Sequence, residues 1–171
     1  MLDDVNYLGL NRDTNPEPFI NRYRNSVHFT DSLISQVIQT VKDKGELDNT
    51  LIIVTGDHGQ EFNDNGLNFW GHNSNFTDAQ VKVPFFVLGP KTPASDQWSA
   101  NGTFTSHEEV VPTLLKNYLG VTNPTSDFST GNDLYGEVKA RPWRMAAKYA
   151  GYAVITDESI LEVTSLGQYM L

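Results

Sequence analysis

Residues 51–55 limit the choice of fold more than any other part of this chain. Leu51, Ile52, Ile53 and Val54 run without a polar interruption to Thr55 and pass at once into Gly56, Asp57, His58 and Gly59. A strand with one wet face alternates polar and apolar residues. An unbroken apolar run instead suits a strand covered on both faces, as in a parallel sheet packed under helices. The preceding segment supplies such a helix: Val27, Leu33, Ile34, Val37, Ile38 and Val41 recur at helical spacing from Asn25 or Ser26 until Gly45 offers a stop. Residues 1–21, rich in Asn, Asp and Pro and containing the breaker run Asn15-Pro16-Glu17-Pro18, read as a loop.

Further along, residues 60–80 show no sustained periodicity and read as one long loop, which in a compact domain is usually functional or disordered. Val81, Val83 and residues 85–88 predict a second apolar strand, with Pro84 pushing it toward an edge or bulge and Gly89-Pro90 ending it. Residues 91–103 are a polar stretch. Ser106 and Glu109 then have capping-box spacing, and Val110, Val111, Leu114, Leu115, Tyr118 and Leu119 give a helical apolar face up to Gly120. Pro112 inside that helix predicts either a one-turn start with a restart or a kink. Residues 146–155, 160–164 and 168–171 predict short antiparallel strands, with turns at 156–159 and 165–167. The expectation is a three-layer α/β domain over residues 1–121, followed by a small, truncated antiparallel β subdomain over residues 122–171.

Asp57 and His58 stand where a buried strand ends, the place at which open α/β sheets gather ligands. On a regular strand, neighbouring side chains point to opposite faces, so the two could reach one ion only if the chain bends there, and Gly56 and Gly59 would permit the bend. Carboxylate oxygen with imidazole nitrogen suits Zn, Mn or a related divalent ion. The alternative is a plain turn, with Asp57 accepting backbone N–H bonds and His58 half exposed.

Composition removes several function classes. A chain of 171 residues can bury a core as one domain without staples. No apolar run approaches the ~18 residues needed to span a bilayer. The opening Met1-Leu2-Asp3-Asp4-Val5 lacks the basic and apolar regions of a signal peptide, so the chain reads as soluble with any export signal outside it. The net charge of −9 and the scattered basic residues make nucleic acid a poor partner. Zero cysteines exclude a disulfide framework, a Cys-ligated zinc and a Cys nucleophile together.

The run Asp57-His58-Gly59-Gln60-Glu61-Phe62-Asn63-Asp64-Asn65-Gly66-Leu67-Asn68-Phe69-Trp70-Gly71-His72 resembles the signature of the alkaline phosphatase and sulfatase superfamily. More narrowly, it resembles the sulfatase domain of Gram-negative inner-membrane proteins related to lipoteichoic acid synthases and phosphoethanolamine transferases. Tyr23-Arg24-Asn25, Asp31-Ser32, Val83-Pro84-Phe85, Ser106-His107 and Val111-Pro112-Thr113-Leu114-Leu115 extend the agreement from about Tyr23 to Gly120. The resemblance implies an alkaline phosphatase-like α/β sandwich, of which this chain is the C-terminal portion. It implies a divalent metal (Zn, Mn, Mg or Ca) held by Asp57 and His58, with His72 and His107 toward the substrate. A divalent ion would act as a Lewis acid, and an imidazolium at His72 would donate to the oxygens of a phosphate or sulfate ester, lipid-linked esters included.

In that family the Thr or formylglycine nucleophile and the remaining ligands come from an N-terminal half that lies before the helix at Asn25. No catalytic nucleophile is therefore expected within this chain, which should be inactive alone. Its parent is expected to be a periplasmic domain joined to the inner membrane through its N-terminal part. Two functions stand open: a sulfatase-class hydrolase or transferase, or a non-catalytic sensor that binds lipopolysaccharide or cardiolipin and regulates envelope lipid balance.

Other residues carry paired readings. His107 opens a helix, where a solvent-exposed His is common. His28 lies on the polar side of the first helix and receives no role. Glu61 would either orient His58 or the loop, or stand as an exposed carboxylate. Trp70 would pack the loop or line the pocket. Arg141, Arg144 and Lys148 would form a solvated face or meet anionic lipid headgroups. The sequons at Asn75 and Asn101 carry no weight.

Overall fold

The first helix, α1 (Glu17–Asp43), begins inside the stretch that reads as a loop. Pro16 is its N-cap, and Pro18 lies in the first turn. The first N–H groups of a helix have no partner in it, so a proline there removes nothing. Asn15 Oδ1 accepts the Glu17 N–H at 3.1 Å, so the breaker run starts the helix. At the far end Gly45 adopts φ +71°, donates to the Lys42 carbonyl and closes α1 as its position predicts. The computed structural model describes residues 9–73, 75–94, 104–136 and 141–170. Within them the chain forms two compact units, Met1–Pro90 and Lys91–Leu171.

In the first unit a short 3-10 turn, Leu47–Asn49, leads into strand β1 (Ile52–Thr55). β1 pairs antiparallel with β4 (Phe85–Leu88), Ile52 opposite Leu88 and Thr55 opposite Phe85, which corrects the parallel expectation. An unbroken apolar run reports how apolar a strand is, not which way its neighbour runs. A parallel return needs a crossover that covers the sheet. Here the described part of the connection holds one helix, α2 (Asp78–Val81), a single turn. Burial falls short of the expectation as well. Ile52, Ile53 and Val54 are half-buried, Thr55, Phe86 and Leu88 are exposed, and no residue of α1 is buried.

The 60–80 segment is more ordered than a loop. Strand β2 (Glu61–Phe62) pairs with β3 (Trp70–Gly71), and the hairpin between them is closed by asparagines. Asn63 (φ 59°) and Asn68 (φ 66°) take the left-handed conformation that Asn tolerates best among ordinary residues. Asn63 Oδ1 accepts the Asn68 N–H at 2.7 Å. Two edge-to-face ring pairs, Phe19 with Trp70 and Tyr23 with Phe62, each 5.5 Å between centroids, clamp the hairpin to α1. Trp70 therefore packs. Val81 ends α2 and does not begin the next strand, which opens after Pro84 at Phe85.

In the second unit Ser106 and Glu109 form the expected capping box around a 3-10 turn, His107–Glu109. Helix α3 (Val110–Asn117) restarts there, which leaves Pro112 in its first turn, where it breaks no bond. The terminal strands are β5 (Arg144–Lys148), β6 (Gly151–Ile155), β7 (Ile160–Thr164) and β8 (Tyr169–Met170), an antiparallel sheet in chain order. The 146–155 stretch is thus two strands with a turn at Tyr149-Ala150. Ala153 and Ile155 of β6 are buried. The sequon at Asn101 and most of the polar 91–103 stretch lie outside the described residues.

Candidate functional site

β1 ends at Thr55, and the chain leaves strand geometry at Gly56 and bends at Asp57. That bend brings His58 Nε2 to 3.7 Å from Asp57 Oδ1. Gly59 acts through space, not through an unusual φ: its N–H donates to the Gln80 carbonyl at 2.7 Å, and a Cβ there would lie 2.3 Å from the Ala79 carbonyl oxygen. The α2 turn can approach only because that atom is missing. His58 Nδ1 lies 2.8 Å from the Gly59 carbonyl oxygen. A carbonyl only accepts, so Nδ1 carries a proton and Nε2 is the ring nitrogen that faces Asp57.

β3 delivers His72, whose ring stacks on His58 with centroids 3.8 Å apart and planes 12° apart. Gln60 Oε1 accepts from His72 Nδ1 at 3.2 Å, which leaves Nε2 as the open nitrogen of this ring also. Burial and then the nearby His58 lower the His72 pKa, against an opposing pull from Asp57. Both effects weigh against the imidazolium expected of His72. Two cationic rings in face-to-face contact would repel.

Glu61 decides how these loops are held. Its side chain is fully buried, so the exposed-carboxylate reading is wrong. Asn65 Nδ2 donates to Oε1 at 3.1 Å, while Asn75 Nδ2, Gln80 Nε2 and Thr77 Oγ1 donate to Oε2 at 2.8, 2.6 and 3.4 Å. Asn75, the first residue of one sequon, is half-buried, with its amide nitrogen held by this carboxylate. Gln60, Asn75 and Gln80 escaped the reading of the sequence because neutral amides have no periodicity or spacing that marks them.

The remaining candidates lie in the second unit. His107 is exposed in the turn before α3, as a helix-start His suggests. Arg141 belongs to no solvated face: its guanidinium donates to Glu108 at 2.7 Å and to the buried Glu109 at 2.6 Å. Lys148 pairs with Glu162 at 2.6 Å, and Arg144 stacks on Phe104 at 3.8 Å.

The family model described as Sulfatase matches residues 6–121, a span that holds Asp57, His58, His72 and His107. The chain belongs to the sulfatase family. It is 26% identical over 166 residues to the inner membrane protein YejM of Salmonella typhi, covering 96% of this chain and 27% of that protein. It is 29% identical over 101 residues to the phosphatidylethanolamine transferase Mcr-1 of Escherichia coli, covering 58% of this chain and 18% of the relative. A solved structure, BT4656 in complex with its substrate D-Glucosamine-2-N, 6-O-disulfate, superposes with a TM-score of 0.56 at 21% identity over 84% of this chain and 31% of that one. The fold is therefore the alkaline phosphatase-like α/β fold, carrying the small antiparallel sheet β5–β8. The chain spans about a quarter of the length of YejM. Among the described residues no helix is long and apolar enough to cross a membrane.

The donors at the β1 end fit part of a metal site. Two ligands each ~2.1 Å from one ion stand about 3.5 Å apart, near the 3.7 Å between His58 Nε2 and Asp57 Oδ1. The Asp57 side chain is 92% exposed, and the Gly59 carbonyl sets the His58 tautomer that ligation requires. The described residues hold no cluster of three or more His, Cys, Asp or Glu with metal-binding geometry, so this pair is an incomplete set by itself.

Proposed function

We propose that this chain is part of a metal-dependent sulfatase-family hydrolase or transferase acting on phosphate or sulfate esters, lipid-linked ones included, in the bacterial envelope. The observation that carries the reading is His58 Nε2 facing the Asp57 carboxylate beside the stacked His72 ring. Asp57 and His58 would hold the divalent ion, whose chemistry when bound is Lewis-acid polarisation of the ester oxygens. His72 would hold those oxygens through Nε2, the nitrogen Gln60 leaves open, once an anionic ester favours the protonated ring. His107 would serve on the substrate side in the assembled protein. The nucleophile and the other ligands are assigned to the larger part of the protein, since YejM is nearly four times as long as the matched span. The match to an inner membrane protein supports a periplasmic domain joined to that membrane.

A second reading stands beside it, because the relative matched over nearly the whole chain is named by its place in the inner membrane and not by a reaction. In it the domain senses an envelope lipid such as lipopolysaccharide or cardiolipin and does not turn it over. Hydrolysis of aryl phosphates and aryl sulfates by the whole protein, with and without chelator, separates the two. Asp57→Ala is expected to abolish metal content and turnover, and His72→Ala to lower turnover about 10²-fold. Turnover and metal content unchanged in both variants would sink the site assignment. Lipid binding with no chelator-sensitive turnover in the parent would select the sensor.

A further inference from the structure

Among the described residues no cation meets the buried Glu61 carboxylate. All its partners among the described residues are neutral, two primary-amide donors and a hydroxyl on Oε2 and one amide on Oε1. Enclosing a charge costs several kcal/mol before hydrogen bonds offset it, so a fold needing only a filled space would do better with an apolar residue there. What singles out a carboxylate is that it accepts at both oxygens and donates at neither. An amide in its place would turn an N–H toward a donor that already points inward.

The surroundings of Glu61 are the candidate site itself. Gln60, adjacent in sequence, reaches His72 Nδ1, and Gly71, just before His72, sits opposite Glu61 in the β2–β3 ladder. On the other side, Gln80 connects the same network to Gly59 through its backbone carbonyl, and Gly59 in turn sets the His58 tautomer. We propose that Glu61 is a positioning residue that locks the 57–62 segment to the 75–80 segment, aims Gln60 at His72, and so keeps the two imidazoles stacked with both Nε2 atoms open. This rests on reading Asp57, His58 and His72 as the site.

The experiment compares Glu61→Gln and Gln60→Ala with the parent protein in three readouts: the melting midpoint, Mn²⁺ affinity by calorimetry, and the imidazole proton shifts in chelator at one pH. Stacked rings shield each other, so His58 and His72 in the parent should resonate upfield of the exposed His28 and His107. In Glu61→Gln that shielding should collapse and Mn²⁺ affinity fall ~10–100-fold while the protein stays folded. Gln60→Ala should move the His72 resonances more than those of His58. A folded Glu61→Gln variant with parental ring shifts and parental Mn²⁺ affinity overturns the inference. If that variant does not fold, Asn65→Ala, which removes an exposed donor from Oε1, is read the same way, and unchanged ring shifts again overturn it. The two readings fail separately: parental turnover and metal content in Asp57→Ala defeat the site, whereas parental ring shifts in the Glu61 and Asn65 variants defeat only the positioning role.

Discussion

Gly59→Ala tests the claim that close backbone approach, not turn geometry, explains the glycine after His58. The added Cβ would stand 2.3 Å from the Ala79 carbonyl oxygen and 3.1 Å from the Lys82 carbonyl oxygen, against an ordinary contact of 3.4 Å or more. Both obstacles are backbone, so no rotamer change relieves them, and α2 must retreat by about 1 Å. Overpacking of this kind costs about 1–3 kcal/mol. The retreat also stretches the Gly59 to Gln80 hydrogen bond, worth roughly 1 kcal/mol. A combined loss of about 2–4 kcal/mol corresponds to a drop of roughly 5–15 °C in melting midpoint for a chain of this size. Calorimetry reads it directly, with Gly136→Ala as the control because its Cβ would meet nothing nearer than 3.6 Å. A Gly59→Ala protein that melts with the parent, or no lower than the Gly136→Ala control, refutes the reasoning. If the destabilisation appears, Mn²⁺ binding should weaken alongside it, since the Gly59 carbonyl sets the His58 tautomer.

Arg141→Met leaves the fully buried Glu109 without its cation and should cost about 3–5 kcal/mol by urea denaturation, whereas the double variant with Glu109→Gln should recover part of the loss. A third prediction concerns alkaline pH. Burial, with Tyr118 and Asp133 adding to it, pushes the Tyr135 phenol up to about 12 from 10.0. A raised folded-state value favours the protonated form, so its contribution to stability is complete below pH 10 and is lost as pH rises toward about 12. Denaturation midpoints of the parent should therefore fall across that window. In Tyr135→Phe the fall should be shallower, and an equal slope in both proteins counts against the assignment.

Much of the fold could be read from residue pattern because the deciding interactions are local. The Ser106 to Glu109 capping box, the Gly45 stop and the antiparallel strands near the C-terminus each depend on neighbours a few positions apart. The bend after β1 was legible in the same way, since Asp57 and His58 can converge only if the strand ends. Breaker residues misled where their position reversed their meaning: Pro16 and Pro18 start α1, and the asparagines of 63–68 close a hairpin.

Residue order by itself determined which chemical groups stand at the end of β1, a carboxylate, an imidazole and a second imidazole within reach, and which family they belong to. Only the tertiary structure decided that β4 runs antiparallel to β1, that His58 and His72 stack, and that Glu61 is enclosed by amides from residues 65, 75 and 80. The reason is physical. Periodicity and capping are short-range effects written into adjacent side chains, whereas strand direction, ring stacking and the burial of a charge depend on groups far apart in the chain, whose donors have no pattern until folding brings them together.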